Sequence, residues 1–212
     1  MKTLTPLIVL AAAVVLIAGC ASSGYKKAGS TSTSLREAAQ GIDKSNAQLD
    51  VVLAALSDLV NNPGADIKPQ FKKFSSAMSK LESLANEVSG HAAAMQEQGA
   101  AYFQKWDEEL AKIQNEDIHT RSLDRKNDVA ARFDKVRASY VQTKTDFVPF
   151  RSDLKDIRTA LATDLTADGL ASVKGVVNKA NKDVSPLHES LDRLAADFKD
   201  LGISLSASTP AK

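Results

Sequence analysis

The chain has 212 residues, of which 43% are hydrophobic and 5% aromatic, and its single Cys excludes an internal disulfide framework. Its 27 basic and 26 acidic side chains leave a formal charge of +1, so no charge excess is present to attract nucleic acid or an anionic surface. Six Pro, ten Gly and few aromatics suit long helices better than a sheet protein.

The first 19 residues have the pattern of a secretory signal. Lys2 precedes an apolar core over residues 7–17, which is too short to remain in a bilayer as a permanent helix. Ile17-Ala18-Gly19-Cys20 resembles the bacterial lipoprotein signal, in which the thiol receives diacylglycerol and the chain is cut just before the Cys. The resemblance implies that Cys20 is the lipidated first residue of the mature chain. The alternative is ordinary cleavage, with Cys20 left as a stray thiol.

The residues after the Cys predict where the protein is held. Ala21 stands where an Asp would favour the inner membrane, so the resemblance implies a lipid anchor of palmitate-like acyl chains in the outer membrane, with the protein facing the periplasm. The segment 20–33 is rich in Ser, Thr and Gly, and this composition predicts a flexible lipidated tether.

The first predicted helix covers about residues 34–61. Ser34-Leu35-Arg36-Glu37 forms a capping box at its start. Leu35, Ile42, Leu49 and Leu56 follow at sevenfold spacing, and Asn61-Asn62-Pro63-Gly64 ends the pattern.

The second predicted helix covers about residues 67–114, with Pro69 in its first turn. Its apolar stripe is narrow, as in helices that pack side by side, and consists of Phe71, Phe74, Met78, Leu81, Ala85, Val88, Ala92, Met95, Gly99, Tyr102 and Trp106. Gly99 and the neighbouring Ala residues add little bulk, so a partner helix can come close. The stripe lapses around 115–117, where we expect a turn.

Two further helices are predicted over about residues 118–164 and 167–201. Their stripes run in steps of three and four, first as Val129, Phe133, Val136, Tyr140, Thr143, Phe147, Phe150, Leu154, Ile157 and Leu161, then as Leu170, Val173, Val177, Ala180, Val184, Leu187, Leu191, Leu194, Phe198 and Leu201. Kinks are expected near Pro149 and Pro186. Thr166 is the expected N-cap of the last helix, and Gly202 its C-terminal cap. The remaining 202–212 is expected to be a disordered tail.

Four apolar stripes must face one another, because no single helix can bury its own. Short connections make neighbouring helices antiparallel, so the predicted fold is all-α, an elongated antiparallel four-helix bundle or coiled coil over 34–201. The predicted lengths make the hairpin of the second and third helices extend past the start of the first by roughly 25 Å. Use of part of a stripe to form a homo-oligomer stays open.

Residues that could carry chemistry are few and scattered. His91, His119 and His188 lie on different helices or at a turn. Glu116-x-x-His119 occurs once, whereas a di-iron bundle needs two such pairs and two more Glu. Asp192 stands where a zinc protease beginning at His188-Glu189 needs its second His. We therefore predict no catalytic residue, no metal site and no cofactor.

Two other groups have a structural interpretation that we prefer. Tyr102 and Trp106, with Phe103 between them, could stack a ligand, but the first two lie on the apolar stripe. The charged stretch 121–126 could touch lipid headgroups or a partner, yet its charges nearly balance. Core packing and a solvated helix face, respectively, are the favoured interpretations.

A family resemblance covers essentially the whole mature chain. It rests on Gly24-Tyr25, Ala101-Tyr102-Phe103 with Trp106, Glu109 and Leu110, Arg121-Ser122 with Arg125, Arg132-Phe133, Asp153-Leu154 with Ile157, and Asp164-Leu165-Thr166. Together these resemble the bacterial proteins of the family called domain of unknown function 2959. The resemblance implies a helical lipoprotein and supplies no catalytic residues.

The leading hypothesis is a non-enzymatic, lipid-anchored scaffold or interaction protein of the bacterial envelope, held to the membrane through Cys20. Its candidate partners are an envelope protein or peptidoglycan. The chain ends in Lys212, as does the small helical lipoprotein that joins the outer membrane to the wall, so a peptidoglycan-attached spacer is one alternative. A binder of an apolar ligand between the helices is the other. Nucleic acid is not an expected partner.

Overall fold

The computed structural model describes residues 24–206 and, for side chains, residues 32–206. The described chain forms four helices, α1 (Gly24–Asn61), α2 (Lys68–Leu110), α3 (Glu116–Thr163) and α4 (Ala167–Leu205). No strand occurs within this part of the chain. The predicted all-α bundle is therefore confirmed.

Each helix packs on two neighbours. α1 and α3 both contact α2 and α4, whereas the diagonal pairs make no close backbone contact over residues 24–206. Lys199 on α4 pairs with Asp43 on α1 at 3.0 Å, and farther along, Asn46 donates to Asp192 at 2.6 Å. Since the numbers rise on α1 as they fall on α4, the two helices are antiparallel.

The core lies where the four apolar stripes meet. Every stripe residue named above is buried or partly buried. The bulkiest fully buried side chains include Phe74, Phe150 and Phe198, one from each of α2, α3 and α4. The heptad spacing thus identified the inward face of each helix, because an apolar stripe is stable only where neighbouring helices cover it.

The helix ends follow local chemistry. Pro69 lies in the first turn of α2, and the Asn115 side chain caps α3 by accepting from the Ile118 amide at 3.0 Å. Thr166 caps α4 as predicted, accepting from the Gly169 amide at 3.2 Å, and Asp168 lies in the first turn. α2 ends at Leu110 rather than at 114.

The start of α1 differs from the prediction. α1 begins at Gly24, so residues 24–33 of the predicted tether are helical. Ser32 is 3% exposed, and its hydroxyl donates to the Gly202 carbonyl on α4 at 2.8 Å. α1 thus extends upstream of the capping box at Ser34, and the added segment contacts α4.

The end of α4 corrects a second prediction. Gly202 is buried inside α4, which continues to Leu205, and a Cβ at Gly202 would lie 3.4 Å from the Ser32 carbonyl oxygen. Gly202 therefore faces α1 from within α4, and it does not cap the helix. Residues 207–212 of the predicted tail lie outside the described residues.

Pro149 and Pro186 both lie inside continuous helices, α3 and α4. The bend at each remains a prediction. Over the described residues, no helix combines the length and apolarity needed to cross a membrane.

Candidate functional site

Cys20, the predicted lipidation residue, lies outside the described residues. The described chain begins four residues later, at Gly24, where α1 begins. The candidate sites described below therefore all lie within the bundle.

The three histidines remain apart. His188 on α4 reaches α1, where its Nε2 lies 3.2 Å from Asp50 Oδ1 and its Nδ1 contacts Asn46 Oδ1. His119 lies in the second turn of α3, and His91 is exposed on α2. His188 thus joins two helices, and within residues 24–206 no three His, Cys, Asp or Glu side chains are grouped as a metal site.

Four aromatic residues form a cluster at the edge of the core. The ring centroids of Tyr102 lie 5.7 Å from Phe103 and 5.4 Å from Trp106, and Phe103 lies 5.1 Å from Phe133 on α3, all edge to face. Such pairs add about 0.5 to 1.5 kcal/mol each beyond area burial. The rings pack against the core as partly buried side chains, in agreement with the preferred interpretation.

Polar contacts tie this cluster to α3. Trp106 Nε1 donates to Ser122 Oγ at 3.3 Å. Burial raises the pKa of Tyr102, and the positive charge of Arg125 partly offsets this, because burial disfavours the phenolate whereas a nearby cation favours it.

The charged stretch 121–126 is partly used within the bundle. Arg125 pairs with Asp128 at 2.9 Å and also contacts the Ser204 carbonyl of α4. Lys126 pairs with Asp107 on α2. These two cations therefore connect helices at the end of the bundle that holds the α2–α3 turn.

A buried acid that the sequence analysis missed joins α3 to α4. Asp197 is 4% exposed, accepts from Ser139 Oγ and pairs with Lys135 at 2.9 Å. The hydrogen bond to Asp197 raises the pKa of Lys135. In the sequence, only its position directly before the core residue Phe198 distinguishes Asp197. An Asp next to a core residue is also common on exposed helix faces, so the sequence did not indicate that Asp197 is buried.

The α2–α3 seam has gaps between its contacts. Tyr140 donates to Ser89 at 3.1 Å, and Arg158 lies 3.7 Å from Glu82. Between these two contacts is an apolar cavity of about 220 Å³ lined by residues of all four helices.

Two more cavities flank the aromatic cluster around Gly99. One, of about 230 Å³, is lined by residues of α1 and α2, by Phe133 of α3 and by Phe198 of α4. The other, of about 310 Å³, lies between α2 and α3. A Cβ at Gly99 would lie 2.6 Å from Phe133 Cε1, so the absence of a side chain at Gly99 lets the Phe133 ring lie between them.

Comparison with known proteins identifies a family. No curated protein and no solved structure matches the chain. The family model described as "Protein of unknown function (DUF2959)" matches residues 18–200, a range that includes Cys20 and nearly the whole bundle. The chain therefore belongs to the DUF2959 family.

Proposed function

We propose that this protein is a non-enzymatic scaffold or interaction protein of the bacterial cell envelope, held to the outer membrane by lipid on Cys20 and facing the periplasm. The observation that carries the proposal is the short distance in sequence between the signal and the bundle. α1 begins at Gly24, and four residues of chain extend at most about 14 Å. A lipid on Cys20 would therefore hold one end of the bundle close to the membrane.

The shape of the bundle supports this role. α3 has 48 residues and is therefore about 72 Å long. The antiparallel order puts the start of α1, the α2–α3 turn and the end of α4 at one end. The other end, with the α1–α2 and α3–α4 turns, would extend away from the anchor and present long helix faces to a partner.

The polar residues also support a role without catalysis. His188 contacts Asp50 across α1 and α4, and Asp197 contacts Lys135 and Ser139 across α3 and α4. Each of these groups already has a partner on a neighbouring helix. Their chemistry contributes to helix association.

Replacing Cys20 tests the anchor. Stable membrane attachment needs more than one acyl chain, so we expect Cys20→Ala either to accumulate unprocessed or to leave the membrane fraction. Ser22→Ala is the matched control and should pellet with membranes after a high-salt wash, as the unaltered protein does. Normal maturation of Cys20→Ala, with membrane attachment in high salt, would contradict the lipid anchor.

Crosslinking in intact cells tests the scaffold role. We expect pull-down of the crosslinked protein to recover a distinct envelope protein. Recovery of the chain crosslinked only to itself would favour a homo-oligomer, and a muropeptide on Lys212 after wall digestion would favour the peptidoglycan-attached spacer. Either result would replace the interaction scaffold as the leading function.

A further inference from the structure

The apolar cavity in the α2–α3 seam extends deep into the bundle. Its walls include Leu81, Ala85 and Val88 of α2, Phe147 of α3 and Leu191 of α4. Leu81, Val88 and Leu191 are each less than 8% exposed. The cavity therefore continues the core rather than forming a shallow surface groove.

The buried hydroxyl groups that line this cavity already donate their hydrogen bonds to backbone carbonyls. Ser45 and Thr143 are the buried hydroxyl residues in its lining. Ser45 Oγ donates to the Gly41 carbonyl at 2.9 Å, and Thr143 Oγ1 donates to the Ser139 carbonyl at 2.9 Å. Because both hydroxyl protons are used within the helices, the interior favours an apolar group.

The mouth of the cavity has the opposite character. Lys144 and Arg151 line it, lie seven residues apart on α3 and are exposed. Among the described residues, neither forms an ion pair or a side-chain hydrogen bond, whereas Arg132 and Lys135 of the same helix pair with acids. Val148, between the two cations, is 49% exposed.

We propose that this cleft binds a single-chain amphiphile with an anionic headgroup. The acyl chain would occupy the cavity, and the headgroup would accept hydrogen bonds from Lys144 and Arg151, which are stronger when both partners are charged. The volume of about 220 Å³ is below the range of about 300 to 1,000 Å³ typical of drug-sized ligands. It therefore suits one acyl chain rather than two.

The cleft is separate from the proposed anchor. Ser45 lines the cavity on α1 and follows Gly24 by 21 residues, which is about 32 Å along the helix axis. Binding in the cleft thus does not depend on lipid at Cys20, and the two can be tested independently.

Photocrosslinking tests the site in the full chain. Membranes that contain the protein are incubated with a fatty acid carrying a diazirine near its methyl end, then irradiated, and the crosslinked peptides are mapped. We expect crosslinks concentrated on residues 81–91 and 140–151. Crosslinks concentrated elsewhere in the chain would overturn the proposal.

Paired variants test the interior and the mouth. Ala85→Trp fills the cavity and should lower crosslinking at these peptides at least about fivefold, whereas Ser83→Trp, on the exposed side of the same turn, should not. The double substitution Lys144→Glu and Arg151→Glu should lower it by a similar factor, whereas Lys155→Glu, an exposed cation outside the cleft, should not. Circular dichroism checks that each variant is folded. If crosslinking were unchanged both in Ala85→Trp and in the charge-reversed double variant, the proposed binding site would be overturned.

Competitors identify the headgroup. Laurate and lysophosphatidylglycerol share a single chain and an anionic head, and dodecanol has the chain without the charge. Competition by laurate alone identifies a free carboxylate, and competition by lysophosphatidylglycerol alone identifies a phospholipid; both support the proposal. Dodecanol competing as well as either anion, or no competition at all, would overturn it.

Discussion

The absence of a side chain at Gly99 allows the Phe133 ring to lie between two cavities of the bundle. The Phe133 ring occupies the space beside Gly99, where a Cβ would lie 2.6 Å from Cε1. The same ring packs edge to face with Phe103 at a centroid distance of 5.1 Å. The ring therefore cannot move away from Gly99 without disturbing the aromatic cluster. The sequence showed that residue 99 was small and on the stripe, but only the structure shows which ring depends on it.

Alanine at two glycines of α2 should have opposite effects. In a helix interior, Gly→Ala gains up to about 1 kcal/mol, whereas overpacking a filled site costs about 1 to 3 kcal/mol. We expect Gly99→Ala to lower the melting temperature. Gly90→Ala should raise it, because nothing lies within 4 Å of a Cβ there. A rise for both variants would show that the Phe133 ring adjusts without cost.

Asp197 offers a second test at the scale of single residues. Asp197→Ala removes the acceptor of Ser139 Oγ and the partner of Lys135, and a buried polar group without a partner costs about 1 to 3 kcal/mol. Asp200→Ala is the matched control, since it removes a pair with Arg132 that is only partly buried and should cost about 1 kcal/mol or less. Urea unfolding of the two variants measures the difference, and equal losses would contradict a structural role for Asp197.

The pKa of Lys135 gives an independent readout of the same contact. It is raised in the folded protein by Asp197, so the contribution to stability is fully present below the ordinary lysine pKa and is lost as the pH rises through the folded value. In Asp197→Ala this pKa should fall towards its ordinary value, as followed by NMR of the side chain.

At the scale of helices, the spacing of apolar residues reliably predicted which face of each helix is buried. Leu154 and Leu187, at the middle of two stripes, are both 0% exposed, because a stripe at helical spacing can face only one way. Helix starts were less predictable. The capping box at Ser34 is a local signal, and α1 nevertheless continues upstream to Gly24, where Ser32 contacts α4, 170 residues away in sequence.

The candidate site was less predictable than the fold. The cavity at the α2–α3 seam needs Ala85 of α2, Phe147 of α3 and Leu191 of α4 together. Each of these residues has the pattern of ordinary core. A gap depends on how two stripes align along their length, and helical spacing within one stripe does not determine that alignment.

Substitutions in α3 test the assignment of its inward face. Leu154→Asp would bury an unpaired charge and should cost several kcal/mol, whereas Lys155→Asp should change stability by about 0.5 kcal/mol or less. Leu154 is fully buried and Lys155 is exposed on the next position, so the pair differs mainly in burial. Equal melting temperatures would contradict the assigned face.

At the scale of the molecule, polar contacts are spread unevenly among the four seams. α4 receives polar contacts from both of its neighbours. Ser32 of α1 donates to Gly202, and Asp43 of α1 pairs with Lys199. Arg132 and Lys135 of α3 pair with Asp200 and Asp197. The middle of α2 has fewer such contacts, and all three cavities described above border it.

The lengths of the helices also correct the predicted overhang. α1 has 38 residues and α3 has 48, so they differ by about 15 Å in length rather than the expected 25 Å. The α2–α3 turn therefore lies closer to the level of Gly24 than the sequence suggested. The helical extension from 24 to 33 accounts for the difference.

Distances between spin labels test the arrangement of the whole bundle. Position 65 lies between α1 and α2, and position 167 begins α4, so both belong to the end opposite the α2–α3 turn. Position 117 lies in the first turn of α3, and 46 residues separate it from the end of that helix at Thr163, which is about 69 Å along the axis. Labels at 65 and 167 should be close together, and each should lie more than about 50 Å from a label at 117. A short distance from 65 to 117 would require α2 to fold back on itself and would contradict the up-down-up-down order on which the proposed orientation at the membrane depends.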